Sequence, residues 1–88
     1  MEMTQLLEQA KKQLADVTGL RSVTVTRAFK DEEGWHVGME MLEMSRIPPA
    51  TDVLGEYETL LNDDGDLLRF ERKRTRLRGE PRYEEQES

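Results

Sequence analysis

From Met3 to Val17 the apolar residues Met3, Leu6, Leu7, Ala10, Leu14 and Val17 recur three and four positions apart, while Glu8, Lys11, Lys12 and Asp16 lie off that stripe. The spacing predicts a one-sided helix from about Gln5 to Thr18, which needs a sheet to cover. Thr4 is the candidate N-cap, and Gly19 followed by Leu20 suits a C-terminal cap with its apolar contact. Beyond Arg21 the pattern changes period. The β-branched run Val23, Thr24, Val25, Thr26 predicts a strand to Phe29, and Lys30 to Gly34 supplies the following turn. In the next segment Trp35, Val37, Met39 and Met41 share one parity, and His36, Gly38, Glu40, Leu42 and Met44 share the other. Both parities turn apolar toward Met44, which predicts a strand whose C-terminal end is covered on both sides. Trp35 reads as a core anchor, and Met39, Met41 and Met44 as adaptable core filler.

The connector Arg46 to Asp52 contains Pro48 and Pro49, which remove two amide donors and hold the chain extended. It reads as a stiff loop, with Thr51 or Asp52 placed to cap a short turn. A strand follows from Val53 through Gly55 to Leu61. Its register is left open, because both of its parities carry apolar groups. Asn62 to Asp66, NDDGD, is a strong hairpin signal: Gly65 permits positive φ and the Asx side chains bond local backbone. Leu67 to about Arg78 is the last strand. The fold class is therefore α+β: one N-terminal helix on a four-stranded antiparallel sheet in the order α-β-β-β-β, cystatin-like, as a single domain over residues 1–79. Residues 80–88 read as an acidic flexible tail.

Composition narrows the chemistry. No cysteine is present, which excludes disulfides, thiolate zinc sites and cysteine nucleophiles. The first residues lack the basic start and continuous apolar stretch of a secretory leader, and no window approaches the length of a membrane span, so a cytoplasmic protein is expected. Net charge is −6, yet Arg69, Arg72, Lys73, Arg74, Arg76 and Arg78 crowd the last strand. By strand parity Leu68 and Phe70 continue directly into Arg72, Arg74, Arg76 and Arg78. That row has two main readings: neutralisation of acidic strands in the same sheet together with protection of an edge from aggregation, or docking of an acidic partner surface. The overall acidity argues against nucleic acid as its target.

Glu40, Glu43, Asp52, Glu56 and Glu58 could form a carboxylate cluster for a hard metal or for acid–base chemistry. The simpler account pairs them across strands with Arg72, Arg74 or Arg46. NDDGD lacks the distal glutamate of a calcium loop. His36 is the only histidine and stands without a nucleophile or phosphate loop at recognisable spacing. The residues point to a binding or assembly module rather than an enzyme, with no metal and no cofactor.

From Gly34 to Gly79 the chain presents, in order, Gly34-Trp35, Glu40 and Glu43, Arg46-Ile47-Pro48, Thr51-Asp52-Val53-Leu54, Tyr57-Glu58, Asp63 to Gly65, and Arg72, Arg78 and Gly79. In these residues and their spacing the block resembles the gas vesicle protein O family. The chain departs from the pattern at Thr75-Arg76, where an Arg-Tyr pair is expected. The resemblance implies a non-enzymatic, cytoplasmic accessory role in gas vesicle formation. Its partners would be other gas vesicle proteins, either the shell subunit or assembly factors, with no membrane or nucleic-acid partner, and self-association is compatible with it. Arg46, Arg72, Arg74, Arg76 and Arg78 are the candidate partner-binding residues, and Trp35, Glu40, Glu43, Pro48, Asp52, Tyr57 and Gly65 the structural or motif residues. The alternative is a small regulatory or nucleic-acid-binding module that uses the arginine-rich last strand.

Overall fold

The computed structural model describes residues 2–80, so the acidic segment expected after Gly79 lies, Glu80 apart, outside the described residues. Helix α1 (Met3–Thr18) is followed by strands β1 (Arg21–Asp31), β2 (Gly34–Met44), β3 (Val53–Leu61) and β4 (Leu67–Leu77), with a 3-10 turn at Pro49–Thr51. The strands form one antiparallel meander in the order β1-β2-β3-β4. The predicted fold, a helix packed on a four-stranded antiparallel sheet, is the observed one.

Leu6, Ala10 and Leu14, one helical turn apart, are fully buried and meet Val37, Met39, Met41, Tyr57 and Leu61 from the two central strands. Each buried leucine contributes about 1.5–3 kcal/mol relative to leaving it exposed. Trp35 is half-buried against this core rather than at its centre. Met3 and Val17, although on the predicted stripe, are exposed at the ends of the helix. The helix also starts earlier than its stripe suggests. Its N-cap is Glu2, which makes no side-chain capping bond, and Thr4 sits inside the first turn. Gly19 caps the other end in the left-handed conformation (φ 74°), its N–H donating to the Ala15 carbonyl at 2.8 Å.

Two glutamines that the apolar pattern does not mark fasten the helix to the sheet. Gln9 and Gln13 each donate to the Gly65 carbonyl, at 3.0 and 2.6 Å, and the Gln13 Oε1 accepts the Leu67 N–H at 2.8 Å. The turn they grip is the predicted one. Asn62 Oδ1 accepts the N–H groups of Asp64 and Asp66, both at 2.9 Å, and Gly65 adopts φ 84°. Gly34 (φ 139°) has a different reason for being glycine: a Cβ there would collide with the Leu61 carbonyl of the neighbouring strand.

The expected double coverage of β2 near Met44 does not occur, since Met44 is 55% exposed. Coverage on both faces falls instead at mid-strand, from Val37 to Met41. Cross-strand pairing explains it: the face away from the helix carries Glu40 opposite Glu56 and Leu42 opposite Leu54, with Arg74 and Arg76 next in register on β4. Long arginine stems there cover what a second layer would otherwise have to cover.

Candidate functional site

Strand β4 carries the arginines, and its register decides what they can reach. Two irregularities interrupt its pairing with β3, one between Glu56 and Tyr57 and one between Leu60 and Leu61, leaving Lys73 and Leu68 without a cross-strand partner. Each extra residue flips the parity of the rest of the strand. Phe70 and Arg72 lie opposite Thr59 and Tyr57 on the helix side, whereas Arg74 and Arg76 lie opposite Glu56 and Leu54 on the other. Arg78 falls beyond the strand end. The single row of guanidiniums expected from simple alternation is therefore divided between two faces and a loop.

Each of those arginines faces its own carboxylate. Arg72 makes a two-pronged contact with Glu43, Nε to Oε2 at 2.7 Å and Nη2 to Oε1 at 2.9 Å, and the Tyr57 hydroxyl donates to the same Oε2 at 2.9 Å. Arg76 grips Glu40 in the same manner, at 2.6 and 2.9 Å. Its remaining nitrogen donates to the carbonyls of Leu77, Arg78 and Glu80 at 3.1, 3.3 and 2.7 Å. Arg74 pairs with Glu56 at 3.0 Å and Arg78 with Asp52 at 3.1 Å. Glu58 pairs with Arg27 of β1, a cation outside the expected set of partners. Each of the five carboxylates of the candidate cluster thus meets an arginine. Glu40, 2% exposed, is the most deeply buried of them.

These contacts set the protonation behaviour. The Arg72 guanidinium, with help from the Tyr57 hydroxyl, holds the Glu43 carboxyl below its ordinary value. Asp52 is lowered by the Arg46 N–H first and by Arg78 second, and Asp31 by the Glu33 N–H and His36. Burial and Glu43 push Tyr57 up, and Glu43 and Glu40 respectively raise Arg72 and Arg76. A carboxylate with a depressed folded pKa adds stability above its unfolded value, and that stability is lost as pH falls through the folded value. With ordinary values of 4.5 for Glu43 and 3.8 for Asp31 and Asp52, the melting temperature is expected to fall as pH drops below about 4.5. Glu43→Gln is expected to flatten the acid limb in a melting series from pH 7 to pH 2.5; an unchanged slope would contradict the Glu43–Arg72 assignment.

The connector between β2 and β3 is built around Asp52. Its Oδ1 accepts the Arg46 N–H at 2.7 Å, its Oδ2 takes the Arg78 guanidinium, and its carbonyl accepts the Arg78 N–H at 2.8 Å. Pro48 precedes the 3-10 turn, whose Thr51 donates to the Pro48 carbonyl from both N–H and Oγ1, at 2.9 and 2.7 Å. The Ala50 carbonyl accepts the Gly79 N–H at 2.8 Å. Arg46 contributes its backbone here. Among the described residues its exposed guanidinium meets no carboxylate.

His36 stacks on Phe29 (centroids 4.7 Å apart, planes 9°) and its Nε2 lies 2.8 Å from Asp31 Oδ1 and 3.7 Å from Glu33 Oε1. These three groups could offer ligand atoms to a cation, all within 4.8 Å of one another. Asp31 and Glu33 are exposed, and Glu33 also reaches Arg69 at 3.5 Å, so the cluster is equally an ordinary surface ion-pair network. Among the described residues no helix is long and apolar enough to cross a membrane.

Known proteins resemble this chain in sequence. A family model described as gas vesicle synthesis protein GvpO matches residues 1–82. Gas vesicle protein O of Streptomyces sp. (strain CB03234) is 35% identical over 74 residues, which cover 84% of this chain and 58% of that protein. Gas vesicle protein O1 of Halobacterium salinarum is 31% identical over 58 residues, covering 66% of this chain and 49% of that protein. The aligned segments thus span about half the length of these curated relatives. No solved structure matches. With the family pattern extending over the helix, the sheet and the paired arginines, the chain belongs to the GvpO family of gas vesicle synthesis proteins.

Proposed function

We propose that this chain is a non-enzymatic, cytoplasmic accessory protein of gas vesicle formation that works by contact with other gas vesicle proteins, either the shell subunit or assembly factors. The observation that carries the reading is the family match over residues 1–82. The division of the arginines adds to it. Arg72, Arg74, Arg76 and Arg78 each hold a carboxylate of this chain, so they serve the fold first. That counts against the alternative of a nucleic-acid module reading phosphates with β4, since phosphate contacts draw on available cations.

The test is genetic and then biochemical. In a host carrying a gas vesicle gene cluster, deletion of the corresponding gene is expected to abolish or sharply reduce vesicles, measured by pressure-sensitive turbidity and electron microscopy, and expression of this chain to restore them. Normal vesicles in the deletion strain would overturn the reading. Tagged protein from vesicle-forming cells is expected to co-purify with gas vesicle proteins identified by mass spectrometry.

A further inference from the structure

Among the described residues, the most exposed of the large apolar side chains is not on the helix or on β4. Ile47 is 98% exposed at the tip of the β2–β3 connector, and Met44 is 55% exposed where β2 ends. A loop isoleucine held in water gains nothing for its own fold. The loop around it is nevertheless tightly built. Asp52 ties the Arg46 N–H to Arg78, Thr51 closes on Pro48, and Ala50 is bound to Gly79. Pro48 and Pro49 fix two more backbone angles on its C-terminal side. Arg46 beside it differs from the β4 arginines, because no carboxylate of the described residues occupies its guanidinium.

We propose that Arg46, Ile47 and Met44 form a preorganised docking knob for a gas vesicle protein that presents an apolar socket with a carboxylate at its rim. The knob rests on the contact-based function proposed for the chain, and names the surface and the chemistry of its partner. Rigidity favours binding because little conformational freedom remains to be lost on association. The isoleucine supplies apolar area for the socket, and the exposed Arg46 guanidinium selects an acidic rim through paired hydrogen bonds. A protein surface suits the knob better than an anionic membrane, since the chain carries a net charge of −6.

The experiment compares tagged wild-type chain with Ile47→Asp, Arg46→Glu and, as a control, Val17→Asp at an exposed apolar site on the helix. Each is expected to melt near the wild-type temperature, because none of the three side chains is buried. In pull-downs from vesicle-forming cells, Ile47→Asp is expected to lower capture of gas vesicle proteins by about 10- to 100-fold, the equivalent of one buried isoleucine. Arg46→Glu is expected to lower it by a smaller factor, and Val17→Asp to leave it unchanged. Equal capture by wild type and both knob variants would overturn the knob while leaving the functional reading intact. No capture by wild type, with normal vesicles in the deletion strain, would remove both. Flotation with anionic phospholipid vesicles, or a dimer in sedimentation analysis, that is lost in Ile47→Asp would assign the knob to a membrane or to a second copy, and overturn the proposal as stated.

Discussion

Arg76→Ala is expected to destabilise the protein by about 3 kcal/mol, the lower end for removing one member of a buried ion pair, because Arg76 itself keeps some contact with water. The reason lies in Glu40, whose side chain is 3% exposed and loses its two-pronged partner in the variant. The three carbonyls that Arg76 also binds lose a donor as well. At roughly 4–8 °C per kcal/mol for a domain of this size, the melting temperature should fall by at least about 12 °C. Arg74→Ala is the control: Arg74 is mostly exposed, although its partner Glu56 is not, and a smaller loss of about 1 kcal/mol is expected. Equal losses in the two variants would refute the special position of Glu40. The double variant Glu40→Leu with Arg76→Leu should recover much of the loss, since apolar replacement of a buried pair leaves no charge to desolvate. If it does not, packing rather than the buried charge carries the effect.

Leu61→Ala is expected to cost about 2–5 kcal/mol, through the lost transfer energy and the cavity left behind. Leu61 is fully buried, packs in the core cluster with Leu6 and Leu14, and lies opposite Trp35 in register. In a domain this small that is a large part of the total stability. Chemical denaturation should show the midpoint falling with little change in slope. Val17→Ala, at a 57% exposed position, should stay within about 0.5 kcal/mol of wild type. A Leu61 variant as stable as the Val17 variant would mean that the core does not sit between helix and sheet as described.

The two predictions differ in how far the sequence foreshadows them. Leu61 is recognisable as apolar and in a strand, and the helix stripe through Leu6, Ala10 and Leu14 is legible in full because helical periodicity is written in contiguous residues. The hairpin at Asn62 to Asp66 and the cap at Gly19 are legible for the same reason: both depend on local backbone and its nearest side chains. Arg76 is legible only as one member of a charge run. Simple alternation puts it on the face of Arg72, and the irregularity at Lys73 moves it to the opposite one, next to Glu40. A bulge is a property of two paired strands, so no single strand announces it. Gln9 and Gln13 escape notice because a polar residue facing a turn carries no hydrophobic signature. Met44 misleads in the opposite direction, since an apolar residue implies burial until packing shows otherwise.

By itself, then, the sequence determined the order of elements, the buried stripe of α1, the β3–β4 turn and the abundance of opposite charges among the strands, all of which depend on neighbours along the chain. The tertiary structure alone decided which arginine meets which carboxylate, that Glu40 is sealed from water, and that a well-braced loop holds Ile47 out in solvent. Those outcomes depend on register and on what lies across the sheet. Pairing between distant segments sets both, and a shift of one residue exchanges the faces of every later side chain in the strand.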